Sequence, residues 1–94
     1  MLTITDKTED NIYTLSFCGD FTFKDLPTYK RIVSFITYEK FTKVILDFNK
    51  LTMIDSGAIG MLLILNEEVR NIGGKLRIIN QTGIVDKKMN RGYE

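Results

Sequence analysis

The residues that could do chemistry in this 94-residue chain concentrate at one step, Asp55-Ser56-Gly57. It stands directly ahead of an apolar run, Ala58 to Leu65, that carries no charge. Asp and Ser are preferred helix N-cap types, because their side-chain oxygens accept from the free N–H groups of the first turn. The pattern predicts a helix that starts at Asp55 or Ser56 and runs towards Ile72. A helix N-terminus presents unpaired donors and the positive end of the helix dipole, so an anion placed there is stabilised. A serine in that turn is either a cap or a place where a phosphate can be written. Gly57 and Gly60 keep the surroundings small enough for another protein to approach closely.

Other chemistries are poorly provided for. The sequence contains no histidine, which removes the usual general base, the usual metal ligand and any Ser-His-Asp triad. No Gly-x-Ser-x-Gly elbow surrounds Ser56. Gly73-Gly74-Lys75-Leu76 lacks the earlier glycine and the Ser/Thr of a phosphate-binding loop. Asp47 ends a short apolar run, but no acidic cluster precedes it to hold a metal. These absences argue against an enzyme, a cofactor and a metal. A formal net charge of +1 gives no electrostatic case for nucleic acid. The more basic last third, from Arg70 to Arg91, reads as a solvated face. Cys18 is the single cysteine; beside Phe17 it reads as a small buried hydrophobe. The first twenty residues show no secretory h-region, and no apolar run is long enough to span a bilayer. The expectation is a cytoplasmic protein without membrane insertion.

The elements that must position the Asp-Ser step follow from periodicity. Leu2 to Thr5 and Ile12 to Cys18 alternate as a strand pair, with a polar turn at Lys7 to Asn11. Asp25 is the expected cap of a helix whose first turn holds Pro27 and whose apolar positions are Tyr29, Ile32, Val33, Phe35 and Ile36. Val44 to Phe48 reads as a buried strand and Asn49 to Met53 as a loop. In the helix that follows, Ile59, Leu62, Leu63, Val69 and Ile72 form one stripe. Ala58, Met61 and Leu65 form a second. One sheet face cannot use both, so either other helices flank this one or a partner covers it. Gly73-Gly74 signals a turn, Leu76 to Ile79 a strand, and Ile84 to Met89 the start of a last helix. The strand–helix–strand segments imply parallel pairing with right-handed crossovers. The expected fold is one α/β domain spanning residues 1–94, with a mixed four- to five-stranded sheet and helices mainly on one face.

Three stretches carry a resemblance: Val44-Ile45-Leu46-Asp47-Phe48, then Met53 through Leu63 with its Asp55-Ser56 step, then Gly73-Gly74-Lys75-Leu76. Together with Gly19 they make the chain look like a STAS domain, the fold of bacterial anti-sigma factor antagonists. In that family the serine after the aspartate is phosphorylated by a partner kinase that is itself the anti-sigma factor, and a phosphatase resets it. The resemblance implies that Ser56 is the phospho-acceptor and that the unphosphorylated form binds the kinase. It implies a partner surface of Asp55, Ser56, Gly57, Ala58, Gly60, Met61 and Leu65, and leaves homo-oligomers open. The family often has a second Ser or Thr followed by Gly where this chain has Gly57 and Ala58. It also usually continues past its last helix, which leaves the C-terminus here either truncated or naturally short. STAS domains serve as unphosphorylated adaptors in transporters and signalling assemblies too, which is the alternative reading.

Overall fold

In a computed structural model, residues 1–81 are described. They form β1 (Thr3–Glu9), β2 (Ile12–Phe21), a 3-10 turn (Phe23–Asp25), α1 (Leu26–Glu39), β3 (Lys43–Ile54), α2 (Ser56–Asn71) and β4 (Lys75–Ile79). The strands make one sheet in the order β1-β2-β3-β4. β1 and β2 are antiparallel, whereas β2–β3 and β3–β4 are parallel. The mixed sheet and its crossover helices are those expected from the sequence. The anticipated helix from Ile84 lies outside the described residues.

The first hairpin is longer than its alternation suggested. β1 reaches Glu9 because the turn needs only Asp10 and Asn11, both left-handed at φ 52° and 63°. Asp and Asn are the non-glycine residues that tolerate this conformation, and two such residues in succession match the twist of a two-residue hairpin. The Asn11 carbonyl then accepts from the Thr42 N–H at 3.2 Å, which anchors the hairpin at the entry to β3.

β3 is also longer than expected. The predicted loop Asn49–Met53 is strand, paired with β2 as far as Ile54 opposite Phe21. Register shifts between Ser16 and Cys18 and between Gly19 and Asp20 break the simple alternation there. A bulge adds residues without adding an apolar position, which hides the strand from periodicity.

One face of the sheet carries the core. Tyr13, Leu15 and Phe17 on β2 and Val44, Leu46 and Phe48 on β3 are buried against Tyr29 and Ile36 of α1 and six residues of α2. Phe17 packs on Phe21 and Phe48 with ring centroids 5.2 Å apart, and Tyr13 stacks on Phe41 at 4.9 Å. Alternation sends Thr14, Ser16 and Cys18 to the other face, and Cys18 is exposed rather than buried as expected.

Two tyrosines give this core a pH limit. The Tyr13 hydroxyl donates to the Asp6 carboxylate. Burial, then that hydrogen bond and the carboxylate's charge, push its pKa well above the ordinary 10.0. Burial, with Glu68 adding to it, raises Tyr29 likewise. A raised folded pKa means that the folded state holds the proton more tightly than the unfolded chain. The resulting stability is complete below about pH 10 and is lost as pH climbs through the folded values. Urea midpoints of the wild type should therefore fall steeply above about pH 10. The doubly substituted Tyr13→Phe/Tyr29→Phe protein should show a flatter alkaline limb; an identical limb would contradict the assignment.

Candidate functional site

The Asp55 carboxylate builds the site. It lies where β3 gives way to α2, and its backbone N–H donates to the Phe21 carbonyl at 3.2 Å, adding one more bond to the β2–β3 ladder. Its Oδ1 accepts from the Ala58 N–H at 2.8 Å, the N-cap bond of α2. Its Oδ2 accepts from the Phe23 N–H at 3.1 Å, in the 3-10 turn that follows β2. One side chain thus caps a helix and ties down the neighbouring connection. The cap is Asp55, so Ser56 takes the first helical position and is exposed there.

The 3-10 turn has its own cap. Thr22 Oγ1 accepts from the Lys24 N–H at 3.3 Å, and the Asp25 carboxylate accepts from the Thr22 N–H at 2.9 Å. Asp25 was expected to cap α1. It precedes that helix, but its side chain makes no cap bond to it, being engaged on Thr22.

Gly57 is explained by the same close approach. A Cβ on it would lie 2.7 Å from the Phe23 Cβ, closer than any non-bonded carbon pair. The space that the sequence suggested for a partner is filled by this chain's own Phe23. Gly60 is different: nothing lies within 4 Å of where its Cβ would be.

The remaining expected surface residues divide. Ala58, Met61 and Leu65 are buried at 0%, 7% and 3% exposure. The apolar first turns of α2 are flanked by the sheet, α1 and the 3-10 turn, so the second stripe is core rather than a partner surface. Leu63, expected in the core, is 39% exposed, and its neighbour Ile64 is 56% exposed. Ser56, Gly60, Leu63 and Ile64 fall on one side of the helix at spacings of four, seven and eight. Around Ser56, Phe23 and Met53 add exposed apolar surface at 63% and 38%. The loop reading of Asn49–Met53 concealed Met53, which is in β3, whereas Phe23 lies in the connection after β2, between the capping residues Thr22 and Asp25.

Among the described residues no cluster of His, Cys, Asp or Glu could hold a metal, and no helix is long and apolar enough to cross a membrane.

Comparison with known proteins places this geometry. The STAS domain family model matches residues 3–93, and the chain belongs to that family. Similar solved structures include the anti-sigma factor antagonist SpoIIAA in its unphosphorylated form, with a TM-score of 0.76 at 16% identity over 98% of this chain and 84% of that one. A putative anti-sigma factor antagonist from Thermotoga maritima gives 0.85 at 15% identity, over 94% of this chain and 76% of that one. The murine anion transporter Slc26a9 gives 0.76 at 14% identity, over 97% of this chain but 18% of the transporter. At these identities the likeness is one of fold. No curated protein matches the chain.

The two glycines of α2 should respond oppositely to alanine. Gly57→Ala should lower stability by about 1–3 kcal/mol, because Phe23 must move away. Gly60→Ala should raise it by up to about 1 kcal/mol, since it meets only open space and alanine is the better helix former. Urea denaturation of both variants checks the pair; equal effects would contradict the contact between Gly57 and Phe23.

Proposed function

We propose that this STAS domain is a phosphorylation-switched regulator whose unphosphorylated form binds a serine kinase of the anti-sigma factor type. Ser56 is the acceptor and a serine phosphatase resets it. The observation that carries the reading is the place of Ser56: exposed, at the first position of α2, beside a carboxylate that already occupies the cap. The hydroxyl is left free for modification because Asp55 does the capping. The structural likeness to SpoIIAA, solved in both unphosphorylated and phosphorylated forms, supports the same reading. On this reading the chain acts through binding, in the cytoplasm with its kinase.

The switch follows from elementary electrostatics. A phosphate on Ser56 brings about −1.5 to −2 charges at neutral pH. The N–H groups of Ser56 and Gly57, which have no acceptor within the helix, and the dipole offset that charge while the site faces water. A partner seated over Ser56 and Gly57, against Phe23, Met53 and the open side at Gly60, would have to desolvate the phosphate next to Asp55. Burying an unpaired charge costs several kcal/mol by order of magnitude, enough to dissolve a moderate complex. Asp55 holds this surface in shape and orients the serine.

A second reading, a constitutive adaptor, has one observation in its favour: the likeness to a domain that makes up a small part of an anion transporter. Intact mass separates the two. The protein isolated from its own cells should contain a species one phosphate heavier that is absent from Ser56→Ala. A single unmodified mass in every growth condition would exclude the switch and favour the adaptor.

A further inference from the structure

The face of the sheet on which the described residues place no helix has a charge pattern that the Ser56 site does not use. The register sets Lys43 at the start of β3 directly opposite Lys75 at the start of β4, and Ile45 opposite Arg77. Alternation puts all four on the face away from the core, since Val44 and Leu46 are buried and Leu76 packs with them. Like charges directly across a strand pair destabilise a sheet. Arg77 stands two residues further along β4, within reach of the same pair. Among the described residues none of the three cations forms an ion pair. Lys7 and Lys50 lie further over the same face, where the acidic residues are Glu9, Asp47 and, at the far end beside the N-terminal ammonium, Asp20. Asp47 is already engaged, its Oδ1 accepting from the Asn49 N–H at 3.0 Å and the Asn80 amide at 3.1 Å.

We infer that Lys43, Lys75 and Arg77, set around Ile45, form a second docking surface, and that its occupant is an acidic segment of another protein with apolar residues between its carboxylates. Charge complementarity selects the occupant. Carboxylates placed over the three cations relieve the repulsion built into the register, while Ile45 and the half-buried Ile79 beside it offer apolar contact. A second copy of this face would bring like charge against like. An anionic membrane is a poorer fit, because surface attraction of that kind draws on four to eight clustered cations, roughly, without intervening acids. The surface begins at the opposite end of β3 from Asp55 and Ser56, which follow its last residue, Ile54, so the two can be occupied together.

The test uses the full chain, labelled with 15N, and an acetylated octapeptide of alternating Glu and Leu. Titration should shift the amides of Lys43, Ile45, Lys75 and Arg77. The dissociation constant should rise with salt between about 50 and 300 mM. Lys75→Gln/Arg77→Gln, surface changes that leave folding intact, should bind about ten-fold more weakly. Lys30→Gln, on the exposed side of α1, should bind as the wild type does. Shifts confined to other residues, affinity unchanged in the double variant, no binding, or tighter engagement of the same residues by phosphatidylglycerol vesicles than by the peptide would each overturn the proposal.

Discussion

The Asp55 carboxylate is the constraint on which the site depends. Two parallel strands, β2 and β3, end side by side, and each hands the chain to a different element. β2 leads into the 3-10 turn and β3 into α2. Asp55 spans the gap with one oxygen on each, while its own N–H continues the strand ladder. The consequence is a close approach in which Phe23 rests on Gly57. The carboxylate gives each donor an oxygen of its own, an arrangement that an amide or hydroxyl side chain does not offer. The serine that follows gains an exposed hydroxyl in a fixed position, because the capping it might have performed is already done. Carboxyl ends of parallel strands are the usual place for sites in open α/β sheets, and this one is made of two connections locked by a single side chain.

The rest of the architecture holds those two connections level. β2 and β3 run in parallel for their whole length, from Ile12 opposite Lys43 to Phe21 opposite Ile54. α1 and α2 return over the same face and bury the aromatic cluster of Phe17, Phe21 and Phe48 beneath the site. The far end of the sheet is tied separately, by Asn11 and Thr42. Each end of β3 therefore has its own anchor, and each presents a different surface: one with exposed apolar side chains and the Asp55 carboxylate around Ser56, and a cationic one around Lys43.

Much of this was legible in the sequence. The Asp-Ser step ahead of an apolar run fixed the start of α2 within a residue, and the alternation of strands with helical periods gave the parallel pairings. What escaped did so for physical reasons. The end of β3 is bulged, and only Leu51 and Ile54 of its second half reach the core. The Asp10-Asn11 turn was submerged in a longer polar stretch. Cys18 was misplaced because an apolar neighbour was weighed above the strand's two-residue period. For α2 the sequence left two alternatives for the second stripe, Ala58, Met61 and Leu65: flanking helices or a partner. The structure has the first, with α1 and the 3-10 turn covering it, so these three residues are core and not partner surface. Which helices lie side by side is a tertiary fact that no single helix records. The exposed apolar residues near Ser56 instead come from the 3-10 turn, Phe23, and the end of β3, Met53.

The central claim, that one carboxylate holds both connections, is tested most directly by amide hydrogen exchange at Phe23 and Ala58. In the wild type both amides should be protected. In Asp55→Asn, whose side chain offers one acceptor oxygen and a competing NH2 donor, one amide should keep its protection while the other exchanges several-fold faster, roughly as an unbonded amide does. In Asp55→Ala both should be released. Wild-type protection of both amides in Asp55→Ala would show that the site is held by other contacts and would contradict this account.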